Sequence, residues 1–511
     1  MKPSVSELLI TDNRTLRDVL NTIDANAQGM VFIVDDAGRL IGSITDGDVR
    51  RGLLRGLTLA SNVLEVVNRN CVALSVDASA EQIAATLNHD IRQIPLVDDD
   101  RVVVDYAAAD RVRRLPVMEP YLMGNELAYV TDCLKSKWIS SQGKYVHQFE
   151  RLFEHILGIP EGSAVAVSNG TVALHLALLT LDIGPGDEVI VPDLTFAASV
   201  NTVLHAGATP VLVDVDPTTW CLDLDLVEAA ITPKTRAVMP VHLYGQPVEM
   251  ARLRALAEAH DLRIIEDAAE ALGSRTAGRH VGTIGDASAF SFFGNKTVTT
   301  GEGGMVVFRD PAHVAHARLL RDHGMSKSKR YWHEAVGFNY RMTNVQAAIG
   351  VAQLEQFDTI LKRKQGLAAH YTRRLAGVPG IELPPGARAP IGNDVNVFWL
   401  YTIRIDETRF GSRDNLIRRL YSQGIETRPV FYPMTAMPIY ERFRPSGGTT
   451  IAHELSRNGL SLPSSTGLEP PDVDRVCDVL ISELQFGQML NLNEADDRSA
   501  AVSAEANAAR S

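Results

Sequence analysis

Residues 290–304 read FSFFGNKTVTTGEGG, an aromatic and apolar run that delivers one lysine, Lys296, to the edge of a Gly-rich turn. Burial disfavours an ammonium, so a lysine in this setting is held near neutrality and can attack an aldehyde to form a Schiff base. Ser291, five residues earlier, is placed to hold a phosphate oxygen of the same ligand. The alternative is a partly buried lysine with a structural role, and this segment alone does not separate the two.

Strand-like apolar runs alternate with helical patterns on both sides of this segment, from about residue 117 to residue 310. Val- and Ile-rich strands that alternate with helices indicate a mainly parallel sheet with helices on both faces. The predicted strands are residues 164–167, 188–191, 210–213, 237–241, 262–265 and 304–308. The predicted helices include residues 171–181, 250–260 and a long stretch over 343–375 that leads into a smaller mixed domain.

Three further positions each follow a predicted strand, where parallel sheets bind their ligands. Residues 168–171 (SNGT) open a helix, so their free N–H groups and the helix dipole favour a phosphate. Asp267 can pair with a pyridinium nitrogen, as an electron-sink cofactor requires, and Phe196 can stack on a planar ring. The ordinary alternatives are helix N-caps for the turn and for Asp267, and core packing for Phe196. The prediction of a cofactor site therefore rests on the whole set and its order along the chain.

Residues 1–115 contain a small α/β unit twice, which predicts two stacked copies that share one core. This segment resembles a pair of CBS modules, regulatory units that often bind adenine nucleotides. In that family a Gly-x-x-Thr-x-x-Asp pattern contacts the ribose and phosphate, and Gly42, Thr45 and Asp48 match it. The second copy keeps only Asp110 of this pattern. The resemblance therefore implies an adenine nucleotide at Thr45 and Asp48, with a structural or dimerising role as the alternative.

The rest of the chain, residues 117–488, resembles the DegT/DnrJ/StrS sugar aminotransferases, which are type I pyridoxal-phosphate (PLP) enzymes. The resemblance implies their fold: a mainly parallel α/β sheet between helices, with a smaller C-terminal α+β domain. The motifs that carry it are residues 124–126 (GNE), 138–145 (WISSQGKY), 168–171 (SNGT), 241–245 (VHLYG), 266–270 (EDAAE), the Lys296 segment, 337–344 (GFNYRMTN) and 424–429 (GIETRP).

By this resemblance Lys296 is the Schiff-base lysine and Asp267 the partner of the pyridine nitrogen. A second subunit is also implied, because Asn339 would reach the cofactor phosphate of the partner, so the active unit should be a homodimer. The other cofactor-binding residues implied are Gly170, Thr171, Phe196, Glu270 and Ser291, and the substrate-binding residues implied are Trp138, Arg341 and Tyr432.

Within the family, the residues of these motifs are most similar to those of GDP-perosamine synthases, which act in O-antigen polysaccharide biosynthesis. That similarity implies amino transfer from glutamate to the C4 ketone of GDP-4-keto-6-deoxymannose. Thr435 stands where a histidine is expected, which would reshape the sugar or nucleotide pocket. The alternatives are a UDP-linked 4-keto-aminosugar as the acceptor, or a CBS nucleotide sensor on a non-catalytic scaffold of the PLP fold.

Length and composition set the remaining expectations. The chain has 511 residues, and 50 basic against 62 acidic residues give a net charge of −12. Because no strongly basic segment and no apolar run of membrane-spanning length stands out, we expect neither a nucleic-acid nor a membrane partner. The four scattered cysteines have no metal spacing and favour a reducing cytoplasm, so we expect a cytoplasmic protein without a metal. The predicted domains are 1–115 (CBS-like tandem module), 116–375 (PLP-binding large domain), 376–489 (small C-terminal domain) and 490–511 (disordered tail).

Overall fold

The computed structural model describes residues 5–78, 80–88, 91–108, 114–445 and 447–483. The chain divides into two compact units, Met1–Arg114 and Leu115–Ser511. Asp110, most of the basic connector after it, and the tail predicted over 490–511 lie outside the described residues. Within the described ranges, no helix is both long enough and apolar enough to cross a membrane.

The first unit repeats one motif, and the repeat predicted from the sequence is thereby confirmed. Each copy contains a short strand, a helix and an antiparallel hairpin, and the first hairpin strand pairs in parallel with the short strand. The elements of the two copies are β1 (Leu9–Thr11), α1 (Leu16–Asn26), β2 (Met30–Val34), β3 (Leu40–Thr45) and α2 (Asp46–Leu54), then β4 (Leu74–Ser75), α3 (Ala80–Thr86), β5 (Gln93–Val97) and β6 (Val103–Ala108).

Two helices of this unit begin with the same capping arrangement. The Thr15 hydroxyl accepts from the N–H of Asp18, whose carboxylate accepts from the N–H of Thr15, at the start of α1. Thr45 and Asp48 repeat this arrangement at the start of α2. Each pair satisfies two N–H groups that the first helical turn leaves unbonded, which explains where both helices begin.

The second unit alternates strands with helices over its first two hundred residues. These elements are α4 (Glu126–Ser136), α5 (Lys144–Leu157), β7 (Ala164–Val167), α6 (Gly170–Thr180), β8 (Glu188–Pro192), α7 (Ala197–His205), β9 (Thr209–Val213), α8 (Leu224–Ala230), β10 (Thr235–Val238), α9 (Met250–Ala259), β11 (Arg263–Asp267), β12 (Arg275–Thr276), β13 (Arg279–His280), β14 (Ala287–Ser291), β15 (Gly304–Phe308) and α10 (Pro311–Arg321).

Seven of these strands form one sheet in the order β7-β15-β14-β11-β10-β8-β9. All neighbours pair in parallel except at β15, which runs antiparallel to β14 and to β7. The prediction of a mainly parallel sheet is confirmed, with one reversed strand. The reversal follows from the connection, because β14 and β15 are joined without the helical crossover that a parallel pair requires. β14 was not predicted as a strand, because its first three residues, Ala-Ser-Ala, have a weak strand preference.

Both faces of this sheet are buried. On β7, Val165 and Val167 pack into one core cluster with α6, whereas Ala164 and Ala166 pack into another with the aromatic side chains of α5. Because alternate residues of a strand face opposite sides, burial of all four requires cover on both faces. The carboxyl ends of β7, β8, β11 and β14 consequently meet at one sheet edge, beyond the helical layers.

The remaining residues form a smaller domain around an antiparallel sheet. Its elements are α11 (Asn344–Glu355), α12 (Phe357–Leu375), β16 (Ile381–Glu382), β17 (Tyr401–Ile405), α13 (Glu407–Phe410), α14 (Arg413–Ser422), β18 (Arg428–Pro429), α15 (Thr450–Asn458), β19 (Gly459–Leu462) and a helix over residues 470–483. The single helix predicted over 343–375 is wrong: it divides at Gln356, whose φ of −106° is non-helical. The break keeps Leu354 and Phe357 in the same core cluster.

Lys364 of α12 ties this helix to two loops of the smaller domain. Its ammonium is fully buried and donates to the carbonyl of Trp399 at 2.8 Å and to that of Ser464 at 2.6 Å. Burial lowers the pKa of Lys364 to about 7, because the charged form loses its hydration. The two carbonyls partly replace that hydration and fix both loops to the helix.

We expect a pH-dependent stability difference between the wild-type protein and Lys364→Met. In the unfolded chain Lys364 keeps its proton up to about pH 10, whereas in the folded chain it keeps the proton only up to about pH 7. The contribution of Lys364 to the free energy of unfolding should therefore rise with pH across this window. Met cannot titrate and leaves two carbonyls unbonded. The wild-type melting temperature should therefore exceed that of the variant most at the alkaline end, and the gap should shrink towards neutral pH.

The matched control is Lys362→Met, which removes an exposed lysine from the same helix. It leaves both carbonyl contacts of Lys364 in place, so the pH dependence of its melting temperature should follow that of the wild type. A Lys364→Met protein whose melting temperature follows the same pH dependence would contradict the assignment.

Candidate active site

A cavity of ≈ 580 Å³ opens at the sheet edge where the carboxyl ends of β7, β8, β11 and β14 meet. Its wall comes from three sources: the residues that follow these strands, the loop after β14, and the smaller domain. The lining residues are Asn169, Gly170, Thr171, Val172, Leu174, Thr195, Phe196, Ala198, Val241, Tyr244, Asp267, Ala269, Glu270, Ser291, Phe293, Asn295, Lys296, Glu302, Trp399, Leu400, Arg428, Pro429, Phe431 and Ser461.

The turn between β7 and α6 forms one end of the cavity. The Asn169 side chain caps α6 by accepting from the N–H of Val172, so the N-cap interpretation is confirmed at this residue. A Cβ on Gly170 would lie 2.8 Å from the Cβ of Ser291, and one on Gly304 would lie 2.4 Å from the carbonyl oxygen of Asn169. Glycine is thus required where the helix N-terminus approaches β14 and β15. The result is a small cup of N–H groups and hydroxyls suited to a phosphate.

Asp267 ends β11 and is almost completely buried. The Ser199 hydroxyl donates to one carboxylate oxygen at 2.8 Å, and the N–H of Ala269 donates to the other at 3.2 Å. Burial raises the pKa of Asp267, which the Ser199 hydrogen bond and the charge of Lys296 oppose. Asp267 is therefore not the cap of a helix. It is an oriented carboxylate in a dry site, where a cationic partner would keep it ionised.

Lys296 lies in the same cavity, with its side chain 13% exposed. Its ammonium is 3.6 Å from a carboxylate oxygen of Glu270 and 3.7 Å from the centre of the Trp399 ring. Burial lowers the pKa of Lys296, while the negative charges of Glu270 and Asp267 oppose that shift. Burial likewise raises the pKa of Glu270. The amine is thus closer to its nucleophilic form than an exposed lysine would be.

Two aromatic residues hold this arrangement in place. The indole N–H of Trp399 donates to the carbonyl of Asn295 at 2.7 Å, which fixes the ring beside the lysine loop. Tyr244 stacks on Trp399, with ring centres 6.2 Å apart, and its N–H donates to Glu270 at 2.8 Å. Tyr244 has a φ of 52°, a left-handed conformation that costs energy for a bulky residue. The site therefore maintains a strained backbone position to aim this N–H at Glu270.

Phe196 begins α7 and is 60% exposed on the cavity wall, so the core-packing alternative is wrong. Its ring lies 5.9 Å from that of Phe431. Thr171 and Ser291 also line the cavity. The sequence-based residues on this wall of the site are thereby brought together within one chain.

The other sequence-based residues lie elsewhere. Trp138 and Tyr432 are more than half exposed, Asn339 is exposed, and Arg341 forms an ion pair with Asp322. None of these four is among the described residues that line the cavity.

Thr435, expected to reshape the sugar or nucleotide pocket, is not among the described residues that line the cavity. It is buried, and its hydroxyl donates to the Asp193 carboxylate at 2.7 Å while its N–H donates to the other oxygen at 2.8 Å. Thr449 and His453 also lie within hydrogen-bonding distance of the hydroxyl. Thr435 therefore helps to anchor the chain after Tyr432 to the end of β8 and lies behind the cavity wall.

Several functional residues were missed by sequence reasoning, chiefly Ser199, Tyr244 and Trp399. Ser199 has a recognisable signal, because it lies one helical turn after Phe196 on a helix that follows a strand. Trp399 has none, since it belongs to the smaller domain and is 104 residues from the carbonyl it bonds.

In the first unit, Thr45 and Asp48 are occupied with capping α2. Asp48 also forms an ion pair with Arg51 at 2.6 Å. Their hydrogen bonds are local, so the geometry supports a helix start as directly as it supports a ligand contact.

The cavity fits PLP. It combines a Gly-lined turn suited to a phosphate, a buried carboxylate at the end of β11, an exposed aromatic ring and one lysine whose pKa is lowered. No group of three or more side chains suited to a metal ion occurs in the described part of the chain.

Comparisons with known proteins agree with this geometry. Residues 120–481 match the model of the DegT/DnrJ/EryC1/StrS aminotransferase family, and residues 5–55 and 63–106 match the CBS domain. The chain is 48% identical to the GDP-perosamine synthase of Caulobacter vibrioides, over 71% of this chain and 96% of that protein. It is 44% identical to the GDP-perosamine synthase of Vibrio cholerae, over 72% and 98%.

Among solved structures, the aminotransferase TlmJ from Streptoalloteichus hindustanus is 32% identical, with a TM-score of 0.68 over 73% of this chain and 99% of that one. A family match over most of the chain, nearly full coverage of these relatives and a cavity that fits PLP lead to one conclusion. This chain belongs to the DegT/DnrJ/EryC1/StrS family of PLP-dependent sugar aminotransferases and carries a CBS pair before the family's domain.

Proposed function

We propose that the protein transfers the amino group of glutamate to the C4 ketone of GDP-4-keto-6-deoxymannose, giving GDP-perosamine and 2-oxoglutarate. The observation that carries the proposal is 44–48% identity to two GDP-perosamine synthases, each covered almost completely. A relative from Bacillus subtilis, 37% identical, is a spore coat polysaccharide biosynthesis protein, which supports a role in surface polysaccharides. We place the reaction in O-antigen synthesis in the cytoplasm, in line with the scattered cysteines.

Different residues of the cavity would bind the cofactor and transfer the proton. PLP, when bound, supplies an electron sink that stabilises negative charge on the donor's α-carbon. Gly170, Thr171 and Ser291 would hold its phosphate, and Phe196 would cover its ring. The Nζ atom of Lys296 would bind the cofactor covalently between turnovers, and then carry a proton between donor and cofactor during transfer. A pKa lowered by burial suits both tasks, because each begins with the neutral amine.

Asp267 would keep the cofactor's pyridine nitrogen protonated. The Ser199 hydroxyl and the N–H of Ala269 orient its carboxylate, and burial strengthens its attraction for a positive charge. Glu270 would stabilise Lys296 while it carries a proton, because the two groups are 3.6 Å apart. The N–H of Tyr244 donates to the Glu270 carboxylate and holds it in place.

A homodimer is part of this proposal. Large exposed apolar side chains occur on α4 and the turn after it, where Leu127, Leu134 and Trp138 are 81%, 62% and 57% exposed. The loop before Asn339 carries Trp332 and Val336, 54% and 92% exposed. Such surfaces typically mark a protein interface. A second copy that covers them would bring Asn339, which is exposed, to the partner's cofactor.

We expect a panel of nucleotide-linked 4-ketosugars, assayed with glutamate, to identify the acceptor. GDP-4-keto-6-deoxymannose should be aminated at least about tenfold faster, as kcat/KM, than UDP-linked 4-keto-aminosugars, because the contacts that select a substrate act on the transition state. Lys296→Ala should abolish turnover, whereas Lys234→Ala, an exposed lysine beyond the opposite sheet edge, should not. A faster UDP substrate would refute the acceptor, and a fully active Lys296→Ala would refute the role of Lys296. The absence of turnover with every substrate of the panel would leave a sensor without catalysis as the better account.

Asp267→Asn should fold normally and lose most of its activity. A neutral amide cannot hold the ring nitrogen protonated, and the loss of such an electrostatic contact typically lowers kcat on the order of a hundredfold. Asp261→Asn is the matched control, since Asp261 is exposed before the other end of β11 and its left-handed backbone suits Asn. Wild-type kcat in Asp267→Asn would show that the carboxylate serves only to hold the turn.

We further propose that residues 1–115 are a regulatory module, 116–375 the large domain and 376–489 the small one. Leu115 exchanges backbone hydrogen bonds with the chain around Ile425, so a protein that begins at Arg114 keeps this contact. It should bind PLP, dimerise and transaminate as the full chain does. A folded but inactive product would refute this division.

Asp48→Ala should abolish any adenine-nucleotide response of the full chain without changing basal turnover. Asp18→Ala is the matched control, because it removes the same capping box from α1 and therefore costs similar helix stability. Equal loss of the response in both variants would indicate destabilisation of the unit and no contact at Asp48.

A further inference from the structure

A second cavity of ≈ 460 Å³ lies at the opposite edge of the large sheet. It opens beside Ala287, where β14 begins, and Phe308, where the reversed strand β15 ends. The hairpin of β12 and β13 forms one wall, and the C-terminal end of α5 forms another. Among the described residues, none lines both this cavity and the active site.

The lining of this second cavity is cationic. Arg275, Arg279 and Arg309 all contribute, and no aspartate or glutamate is among the described residues that line it. Two buried carboxylates lie behind this lining. Glu266 accepts from the N–H groups of Gly282 and Gly285, and Asp286 accepts from Arg309 at 2.5 Å and from the N–H of Ile264 at 2.9 Å. The guanidinium groups of Arg254 and Arg263 lie 3.9 and 3.8 Å from Asp286. Of the three lining arginines, only Arg309 contacts Asp286, and it shares that carboxylate with two other arginines. Arg275 and Arg279 form no ion pair with a carboxylate among the described residues, so the cavity keeps a positive charge.

His280 supplies a buried donor in the same wall. The residue is 6% exposed, and its Nε2 atom is 2.7 Å from the guanidinium of Arg275. Arginine can only donate, so Nε2 accepts and the neutral ring carries its proton on Nδ1. That N–H is buried and has no hydrogen-bond partner in the part of the chain that the structure describes. A buried donor of this kind is costly unless an acceptor meets it.

We propose that this cavity binds the phosphate group of a small organic phosphate. A phosphate offers several acceptor oxygens and up to two negative charges, which match three guanidinium groups. His280, whose Nδ1–H has no partner among the described residues, lines the same cavity. Leu157, Ile159 and Phe308 line the remaining wall and suit the carbon skeleton of an ester. Each arginine also has a partner within the protein: Arg275 bonds His280 and the carbonyl of Gly278, Arg279 bonds the carbonyl of Thr283, and Arg309 bonds the carboxylate of Asp286. Arg279 and Arg309 are the pair to substitute, because removal of Arg275 would also release the His280 ring.

The test is hydrogen–deuterium exchange measured by mass spectrometry on the full chain loaded with PLP. Inorganic phosphate, glucose 1-phosphate and GMP are the probes, so that free phosphate, a sugar ester and a nucleotide are distinguished. At least one probe should slow exchange in the peptide that covers residues 275–285. In Arg279→Gln/Arg309→Gln the apparent dissociation constant for that protection should rise by about tenfold or more, because two charge-assisted contacts are lost.

Two comparisons make this test decisive. Arg236→Gln/Arg252→Gln removes the same charge from exposed arginines outside the cavity and should leave protection unchanged. His280→Leu removes the unpaired N–H, so it should weaken protection without lowering the melting temperature. The proposal is overturned if no probe protects residues 275–285. It is also overturned if protection persists in Arg279→Gln/Arg309→Gln, or if His280→Leu lowers only the melting temperature and binds the probes normally.

Discussion

The structure of the active site depends on one constraint, the cost of keeping an ammonium and two carboxylates in a dry cavity. Lys296, Asp267 and Glu270 are each shielded from water, and an unpaired buried charge is strongly unfavourable. Each charge is therefore met by a donor or an aromatic face from another element. Ser199 comes from a helix, Tyr244 from a loop after β10, and Trp399 from the smaller domain. The sheet edge serves to bring these separate supports to one place.

This dependence explains how far the sequence could be interpreted. The sheet edge that carries the cavity could be predicted, because apolar strands that alternate with helices indicate a parallel sheet, and parallel strands bring their carboxyl ends to one edge. That rule places Asp267, Phe196 and the turn around Gly170 at this edge, and their roles stay a prediction. Ser291 and Lys296 were found through a local run of aromatic residues, even though β14 itself was not predicted as a strand.

The residues that support these groups could not be predicted in the same way. Trp399 reaches Lys296 only because the smaller domain packs beside the cavity, and no local pattern encodes that packing. Tyr244 bonds Glu270 through its backbone N–H, a contact that no side-chain pattern in the sequence indicates. Thr435 was judged by its neighbours along the chain, and its bond to Asp193 joins segments that are 242 residues apart, which no local pattern indicates.

The first unit shows why a short motif alone does not establish a ligand. Thr45 and Asp48 fit a nucleotide pattern, yet Thr15 and Asp18 form the same capping box where that pattern is absent. A hydroxyl and a carboxylate at this spacing form a capping box, which stabilises the start of a helix whether or not a ligand binds there. Only the surroundings of a motif can distinguish its structural use from its functional use.

The reversed strand β15 has a consequence for the order in which the site is assembled. Because β14 and β15 pair directly, the segment that carries Lys296 is closed at its base by the hydrogen bond from the N–H of Phe292 to the carbonyl of Gly303. Short closures are entropically inexpensive and form early, whereas Trp399 must find its partner across 104 residues. On a chain leaving the ribosome, the lysine loop can thus be in place before the indole that covers it has been synthesised. The nascent site remains open on that side until the smaller domain docks.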